Sequence, residues 1–268
     1  MFATANGIRI HYKLSGRKEG LVVILSHSLA SSLKMWDPQM EMLESRFRVL
    51  RYDTRGHSRS ETTPAPYTLE GLGEDALGLL DQLGMDRVHW VGLSMGGMIG
   101  QSIALNHPDR LLSLSLCDTA AVIPAEAQPI WEERIEGVRQ RGMSSQLDAT
   151  MERWFTPSFL SLNPPMLTLI KEELLTTPAE GYIGCAIAIR KLNYLNRLSE
   201  IHLPTLIMVG EDDPATPVSA SEAIHERIKN SGLIILRSAR HLSNVEQPGV
   251  FNENLVDFLM NVPNKKEK

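Results

Sequence analysis

HWVGLSMGGMIG, residues 89–100, sets a serine between two glycines where an apolar run gives way to a helix-like stretch. Gly92 and Gly96 stand two residues either side of Ser94. In a G-x-S-x-G pattern the serine sits on a sharp strand-to-helix turn, and the glycines let neighbouring backbone approach where a Cβ would clash. The hydroxyl is then thrust out above the sheet. Five residues alone also fit a plain glycine-rich turn. The strand VHWV before them and the apolar helix after them favour a nucleophile. A helix that starts directly after Ser94 also favours negative charge beside it.

Working outward, the apolar stretch ending at Leu93 is one of several. LVVILSH (21–27), FRVLRYD (47–53), RLLSLSLCD (110–118), PTLIMVGE (204–211) and GLIILRSA (232–239) read as strands covered on both faces. GIRIHYKLSG (7–16) alternates Ile8, Ile10 and Tyr12, the period of a half-buried strand. Helical stretches lie between them. TLEGLGEDALGLLDQLG (68–84) carries its leucines on a 3.6 period and ends at Gly84, a C-cap residue. MGGMIGQSIALNHP stops at Pro108, and PVSASEAIHERIK starts at Pro217, which suits a first helical turn. Strands alternating with helices predict an α/β fold with a mostly parallel, doubly wound sheet. From residue 124 to 196 the alternation stops. QPIWEERIEGVRQRG, SSQLDATMERWF and PPMLTLIKEELL read as helices with no strand among them. This block is expected to be a helical cap, or lid, inserted into a core formed by residues 1–123 and 197–268. The alternative is that one of its helices belongs to the core layer.

Composition narrows the function. The chain has 268 residues, 43% hydrophobic and 22% charged, with a net charge of −5 and no basic block. That argues against nucleic acid or an anionic membrane as partner. Cys117 and Cys185 are the only cysteines, far apart and outside any CxxC pattern, so neither a disulfide framework nor a zinc site is expected. A reducing cytoplasm is the expected compartment. The N-terminus lacks the pattern of a secretory signal, and LVVIL is strand-length, far short of a membrane span. KKEK at 265–268 reads as a solvated end. There is no HExxH, no P-loop and no GxGxxG opening a βαβ unit, so no metal and no cofactor is expected.

A serine hydroxyl needs a base, and the base needs an orienting carboxylate. Of the eight histidines, His11 and His89 fall in strands, His107 at a helix end, and His202 and His225 at the surface. His27 and His57 lie in loops at strand ends. His241, in SARHLSNVEQP, follows the last strand, where the order serine, acid, histidine puts the base. The acid belongs in LIMVGEDDPATP, where position alone leaves Glu211, Asp212 and Asp213 open. Oxyanion donors are expected from the N–H of Met95, directly after the serine, and of Leu29 in SHSLASS after an earlier strand.

Taken together, HSL, LRYDTRGHSRS, GLSMGG, LCDTAA, RWFTP, GEDDPATP and HLSNVEQP resemble the α/β-hydrolase superfamily, and within it the 3-oxoadipate enol-lactonases, over residues 5–260. The resemblance implies Ser94 as nucleophile, His241 as base, Asp213 as the acid, and Leu29 and Met95 at the oxyanion hole. It implies a small lactone or ester as substrate and the hydrolysis of 3-oxoadipate enol-lactone in aromatic-compound catabolism. A general carboxylesterase, an acyl-homoserine lactonase, a carbon–carbon bond hydrolase or a perhydrolase uses the same three residues, and a non-catalytic receptor shares the fold. A homo-oligomer is compatible with all of these. Ser28 and Ser58 stand where glycine is usual in relatives, the former as in enol-lactonases. In the cap, AIRKLNY has Lys191 and Asn193 where acids are common. Arg190, with Lys191 and Arg134 as alternatives, is the expected partner of a substrate carboxylate, and Trp154 the expected pocket lining.

Overall fold

The computed structural model describes residues 1–262, so the KKEK end lies outside the described residues. The chain opens with two strands, β1 (Phe2–Ala5) and β2 (Ile8–Gly16), joined by Asn6 and Gly7 at φ 48° and 76°. Two successive positive φ values are what a tight hairpin turn requires, and Asn-Gly supplies them at least cost. The sequence reading began with β2 and missed β1, although this Asn-Gly pair marks it. β3 (Val22–Ser26) follows, then a tight helical turn (Leu33–Gln39), α1 (Met40–Glu44), β4 (Arg48–Tyr52) and α2 (Leu69–Gln82). Gly84, just past α2, takes φ 64°, the left-handed cap expected there. β5 (Val88–Leu93) leads straight into α3 (Met95–Asn106), and β6 (Leu111–Cys117) comes next.

Between β6 and the following strand lie only helices: α4 (Gln128–Arg141), α5 (Leu147–Trp154), α6 (Pro157–Leu162), α7 (Pro165–Thr176) and α8 (Ala179–Arg190). The two ends of this block are pinned side by side. The Ile123 N–H donates to the Leu192 carbonyl at 3.1 Å, and the Tyr194 N–H donates to that of Ala121 at 2.7 Å. The chain then returns to the sheet through β7 (Thr205–Gly210), α9 (Val218–Arg227) and β8 (Ser231–Leu236), ending in α10 (Ser243–Glu246) and α11 (Pro248–Asn261).

One sheet runs β1-β2-β4-β3-β5-β6-β7-β8. The β1–β2 and β2–β4 pairs are antiparallel and every later pair is parallel. β5 and β7 are buried at every residue, which accounts for their unbroken apolar reading. From β3 the chain goes to β4 on one side, while β5 lies on the other. The direction of winding therefore reverses between β3 and β5, and open α/β sheets form their binding crevice at the carboxyl ends of such a pair. Ser26, the last residue of β3, is in register with Gly92 there. Among the described residues no helix is long and apolar enough to cross a membrane.

The glycines around Ser94 are a consequence of how closely α3 approaches these two strand ends. A Cβ on Gly92 would overlap the carbonyl of Gly96, and one on Gly96 would overlap that of Ser26. The buried Trp90 indole N–H donates to the Gly96 carbonyl at 3.0 Å and locks the turn from below. Gly96→Ala is expected to cost about 3 kcal/mol of stability, because backbone and not a side-chain tip must move. Thermal unfolding of that variant beside Gly249→Ala, in α11, where a Cβ meets no neighbour and φ is ordinary, measures how much of the loss comes from packing.

Candidate active site

Ser94 occupies the corner between β5 and α3 with φ 55° and ψ −115°, a backbone region few L-residues adopt. The surroundings hold it there. Its N–H donates to the Cys117 carbonyl at 2.9 Å, and its carbonyl accepts from the Thr119 hydroxyl at 2.7 Å. Its hydroxyl lies 2.9 Å from His241 Nε2. On the other side of the ring, Nδ1 lies 2.8 Å from Asp213 Oδ2. Three side chains from three separate loops thus form one buried line. A proton on Nδ1 facing the carboxylate leaves Nε2 as the acceptor for the serine O–H, the arrangement a base requires.

Asp213 resolves the choice that sequence position left open, since Glu211 and Asp212 are exposed and Asp213 is buried. Its Oδ1 accepts from the N–H groups of Ala215 and Thr216 at 2.8 and 3.1 Å, and Oδ2 accepts from the Thr216 hydroxyl at 2.7 Å. Burial pushes this carboxyl's pKa up. The His241 charge and hydrogen bond, with the Thr216 donors, outweigh it and hold the acid below its ordinary value.

Leu29 and Ser94 line the same cavity, and the Leu29 N–H has no acceptor among the described residues. Met95 opens α3, where an N–H has no partner within its own helix. The loop carrying Leu29 is clamped by the two histidines that sequence left without a role. His27 donates from Nδ1 to the Ser28 carbonyl at 2.7 Å and accepts at Nε2 from the Thr54 N–H at 2.9 Å. His57 accepts at Nε2 from the N–H of Ala30 at 3.0 Å, and Ala30 sits at φ 58°. Both rings serve as acceptors only while neutral. Burial lowers the pKa of each, and His57, with the neighbouring His27 adding to the effect, is pushed down to about 3.

A cavity of about 440 Å³ opens above Ser94, and Met98, Trp131, Trp154 and Ile189 supply apolar walls. Trp154, the expected pocket lining, is among the residues that face the cavity. Arg190 does not line the cavity. Its guanidinium turns outward to Gln128 Oε1 at 3.1 Å and Glu132 Oε1 at 3.4 Å, and Lys191 is exposed. Arg190 stands in the last turn of α8, where a cation also faces the negative end of the helix. The cavity arginines are Arg134, one of the alternatives, and Arg153, which sequence did not single out.

Two more buried groups were missed. Asp118, at the end of β6, accepts from the Gly210 N–H at 2.8 Å and from the Ser243 hydroxyl at 2.5 Å. It thereby ties the loop of Asp213 to the loop of His241. Burial and the nearby Asp213 charge push its pKa well above the ordinary value for a carboxyl group, against the pull of the Ser243 and Gly210 hydrogen bonds. The available signal was its place: a polar residue at the carboxyl end of a parallel strand lies at the binding edge. Glu246 accepts from the Arg240 N–H at 2.6 Å, and from the Thr156 N–H and hydroxyl at 2.9 and 2.7 Å. It straps the His241 loop to the start of α6.

Two titrations follow. His57 is neutral when folded and protonates near pH 6.5 when unfolded, so its contribution is complete above 6.5 and erodes as pH falls toward 3. In His57→Gln the decline of unfolding free energy between pH 6 and 4 is expected to be shallower by about 1.4 kcal/mol per pH unit. Asp118 has the opposite sense. Its raised pKa favours folding at low pH, and that advantage is lost as pH climbs above the unfolded value, near 3.8. Asp118→Asn puts a group of the same shape and no titration in its place. Its melting temperature relative to the parent is expected to rise from pH 4 to pH 8, measured by calorimetry.

Comparison with known proteins shows the family. A family model described as alpha/beta hydrolase fold matches residues 22–248. 3-Oxoadipate enol-lactonase 2 of Acinetobacter baylyi is 36% identical over 249 residues, covering 93% of this chain and 92% of that protein. The crystal structure of a hydrolase from Pseudomonas aeruginosa PA01 superposes with a TM-score of 0.93 at 39% identity, covering 97% of both chains. The enol-lactonase from Burkholderia xenovorans LB400 does so with a TM-score of 0.94 at 36% identity, over 97% of this chain and 100% of that one. This chain is an enzyme that belongs to the α/β hydrolase fold family.

Proposed function

We propose that this protein is a serine hydrolase that opens a small lactone or carboxylic ester through an acyl-enzyme, with 3-oxoadipate enol-lactone as its substrate. The observation that carries this reading is the unbroken hydrogen-bonded line from Ser94 through His241 to Asp213 at the floor of a closed-in cavity. The enol-lactonases among its relatives favour the substrate. In this reading residues 124–196 are the cap that walls the cavity off from water.

The Ser94 O–H gives its proton to His241 Nε2 as Oγ bonds to the substrate's carbonyl carbon. Negative charge moves to the carbonyl oxygen, which takes the free N–H groups of Leu29 and Met95. Asp213 keeps the Nδ1–H in place and stabilises the imidazolium. The ring C–O bond then breaks, and the departing enol oxygen collects the proton from His241. An enolate is a stable leaving group, so this transfer demands little acidity from the imidazolium. Water enters, gives a proton to Nε2 and attacks the acyl carbon. Ser94 regains its proton and the product leaves as a carboxylate.

Ser94→Ala is expected to lower kcat for the enol-lactone by about 10⁶-fold, the scale for loss of a nucleophile, with an unchanged melting temperature. Labelling by a fluorophosphonate is expected in the parent and to vanish in the variant. Turnover by Ser94→Ala near the parent rate sinks the mechanism. A parent enzyme that prefers neutral esters to the enol-lactone sinks the substrate.

A further inference from the structure

The cavity carries charge of one sign only. Among its lining residues there is no aspartate, glutamate or lysine, yet there are two arginines, Arg134 from α4 and Arg153 from α5. Neither guanidinium has a carboxylate within salt-bridge distance among the described residues. By contrast Arg51 and Arg55, also enclosed, each meet one, Asp37 and Asp75 respectively. Arg134 rests over the Trp131 ring, 4.8 Å from its centre, and makes no side-chain hydrogen bond. Arg153 spends one N–H on the Thr150 hydroxyl, at 2.7 Å. Most of the donors of the two planar forks are left over.

A third group from a third helix joins them. Tyr182 of α8 is 4% exposed, lines the same cavity, and its hydroxyl has no hydrogen-bond partner among the described residues. Burial raises its pKa while the charges of Arg134 and Arg153 pull it back, which places all three groups within electrostatic reach of one another. Burial also lowers both arginines, and Arg134 helps to press Arg153 down to about 10. Two like charges and an idle hydroxyl among tryptophan and isoleucine side chains are unfavourable alone. A planar anion between them reverses the sign of each of those costs, because a fork and a carboxylate match in a paired hydrogen bond.

We propose that Arg134, Arg153 and the Tyr182 hydroxyl form a carboxylate-binding subsite in the cavity above Ser94, selecting esters and lactones whose carbon chain carries an ionised carboxylate. The kinetic part rests on the Ser94 mechanism above; the binding part does not. The subsite assigns carboxylate recognition to three cap helices that meet at the cavity, and away from Arg190 at the surface. It admits the anion of 3-oxoadipate enol-lactone, and equally any short acyl chain ending in a carboxylate.

The test compares mono-4-nitrophenyl glutarate with 4-nitrophenyl butyrate, which share a leaving group and differ in the terminal anion. The parent enzyme is expected to favour the glutarate in kcat/KM. Arg153→Met and Arg134→Met are each expected to cut the glutarate-to-butyrate ratio by about 10- to 100-fold, the worth of a hydrogen-bonded charge. Tyr182→Phe is expected to cut it a few-fold, and Arg153→Lys to retain part of it. A ratio at or below one in the parent, or an unchanged ratio in both methionine variants, overturns the proposal. Adipate titrated into Ser94→Ala by calorimetry reads the subsite without turnover, with binding expected to weaken at least tenfold once Arg153→Met is added. Equal binding with and without Arg153→Met overturns the subsite. Butyrate turnover that survives in Ser94→Ala condemns the nucleophile instead, and leaves the adipate result to decide the subsite. If a methionine variant fails to fold by circular dichroism, Arg153→Lys and Tyr182→Phe decide by the same ratio.

Discussion

The contact on which the rest depends is between backbone and backbone. α3 starts so close to the ends of β3 and β5 that the carbonyls of Ser26 and Gly96 occupy the space where Cβ atoms would stand. Only glycine at 92 and 96 permits that approach. Its consequence is the left-handed conformation of Ser94, which no sheet ladder or helix would choose. The strain is held by Cys117, Thr119 and the Trp90 indole, all on β5, β6 or the loop that follows. The hydroxyl is therefore aimed by the core of the molecule, and side-chain preference has little part in it.

His241 is held differently, by hydrogen bonds on both sides of its loop. Arg240, just before His241, gives its N–H to Glu246, and its guanidinium reaches the Glu152 carbonyl. Leu242, just after, gives its N–H to the Trp154 carbonyl at 3.1 Å. Ser243 reaches down to Asp118. The imidazole is thus flanked by bonds to the corner between α5 and α6 above and to β6 below. That corner also carries Trp154 and Arg153 into the cavity. The wall that meets substrate and the loop that holds the imidazole are parts of one hydrogen-bonded unit.

How much of this was legible follows from how local each signal is. The Ser94 turn is written in five residues, because a backbone clash admits glycine alone. His241 was singled out by chain order; position left Asp212 and Asp213 level, the resemblance favoured Asp213, and the folded loop buries Asp213 and leaves Asp212 exposed. β1 was announced by Asn6-Gly7 and overlooked. Of the cavity arginines, sequence offered Arg134 as one of three alternatives and did not single out Arg153. α8 is apolar almost all round, in YIGCAIAI, so no periodicity tells which face meets the cavity. α4 places Arg134, Arg139 and Arg141 within two turns, and only packing decides that Arg134 turns inward. By sequence Arg190 stood on a par with Arg134; in the fold Gln128 and Glu132 take its guanidinium.

Charge placement joins the two halves of the site. Asp213 and Asp118 lie beneath the cavity floor; the carboxyl of Asp213 is held below its ordinary pKa by His241 and Thr216, while burial raises that of Asp118. Across the cavity stand Arg134 and Arg153, which under the proposed reading supply the positive charge that an anionic substrate requires. In the proposed reading, with apolar walls of tryptophan, methionine and isoleucine between them, a carboxylate has one favourable end of the cavity and the reacting carbonyl the other, and orientation comes from charged groups that never touch the bond that breaks.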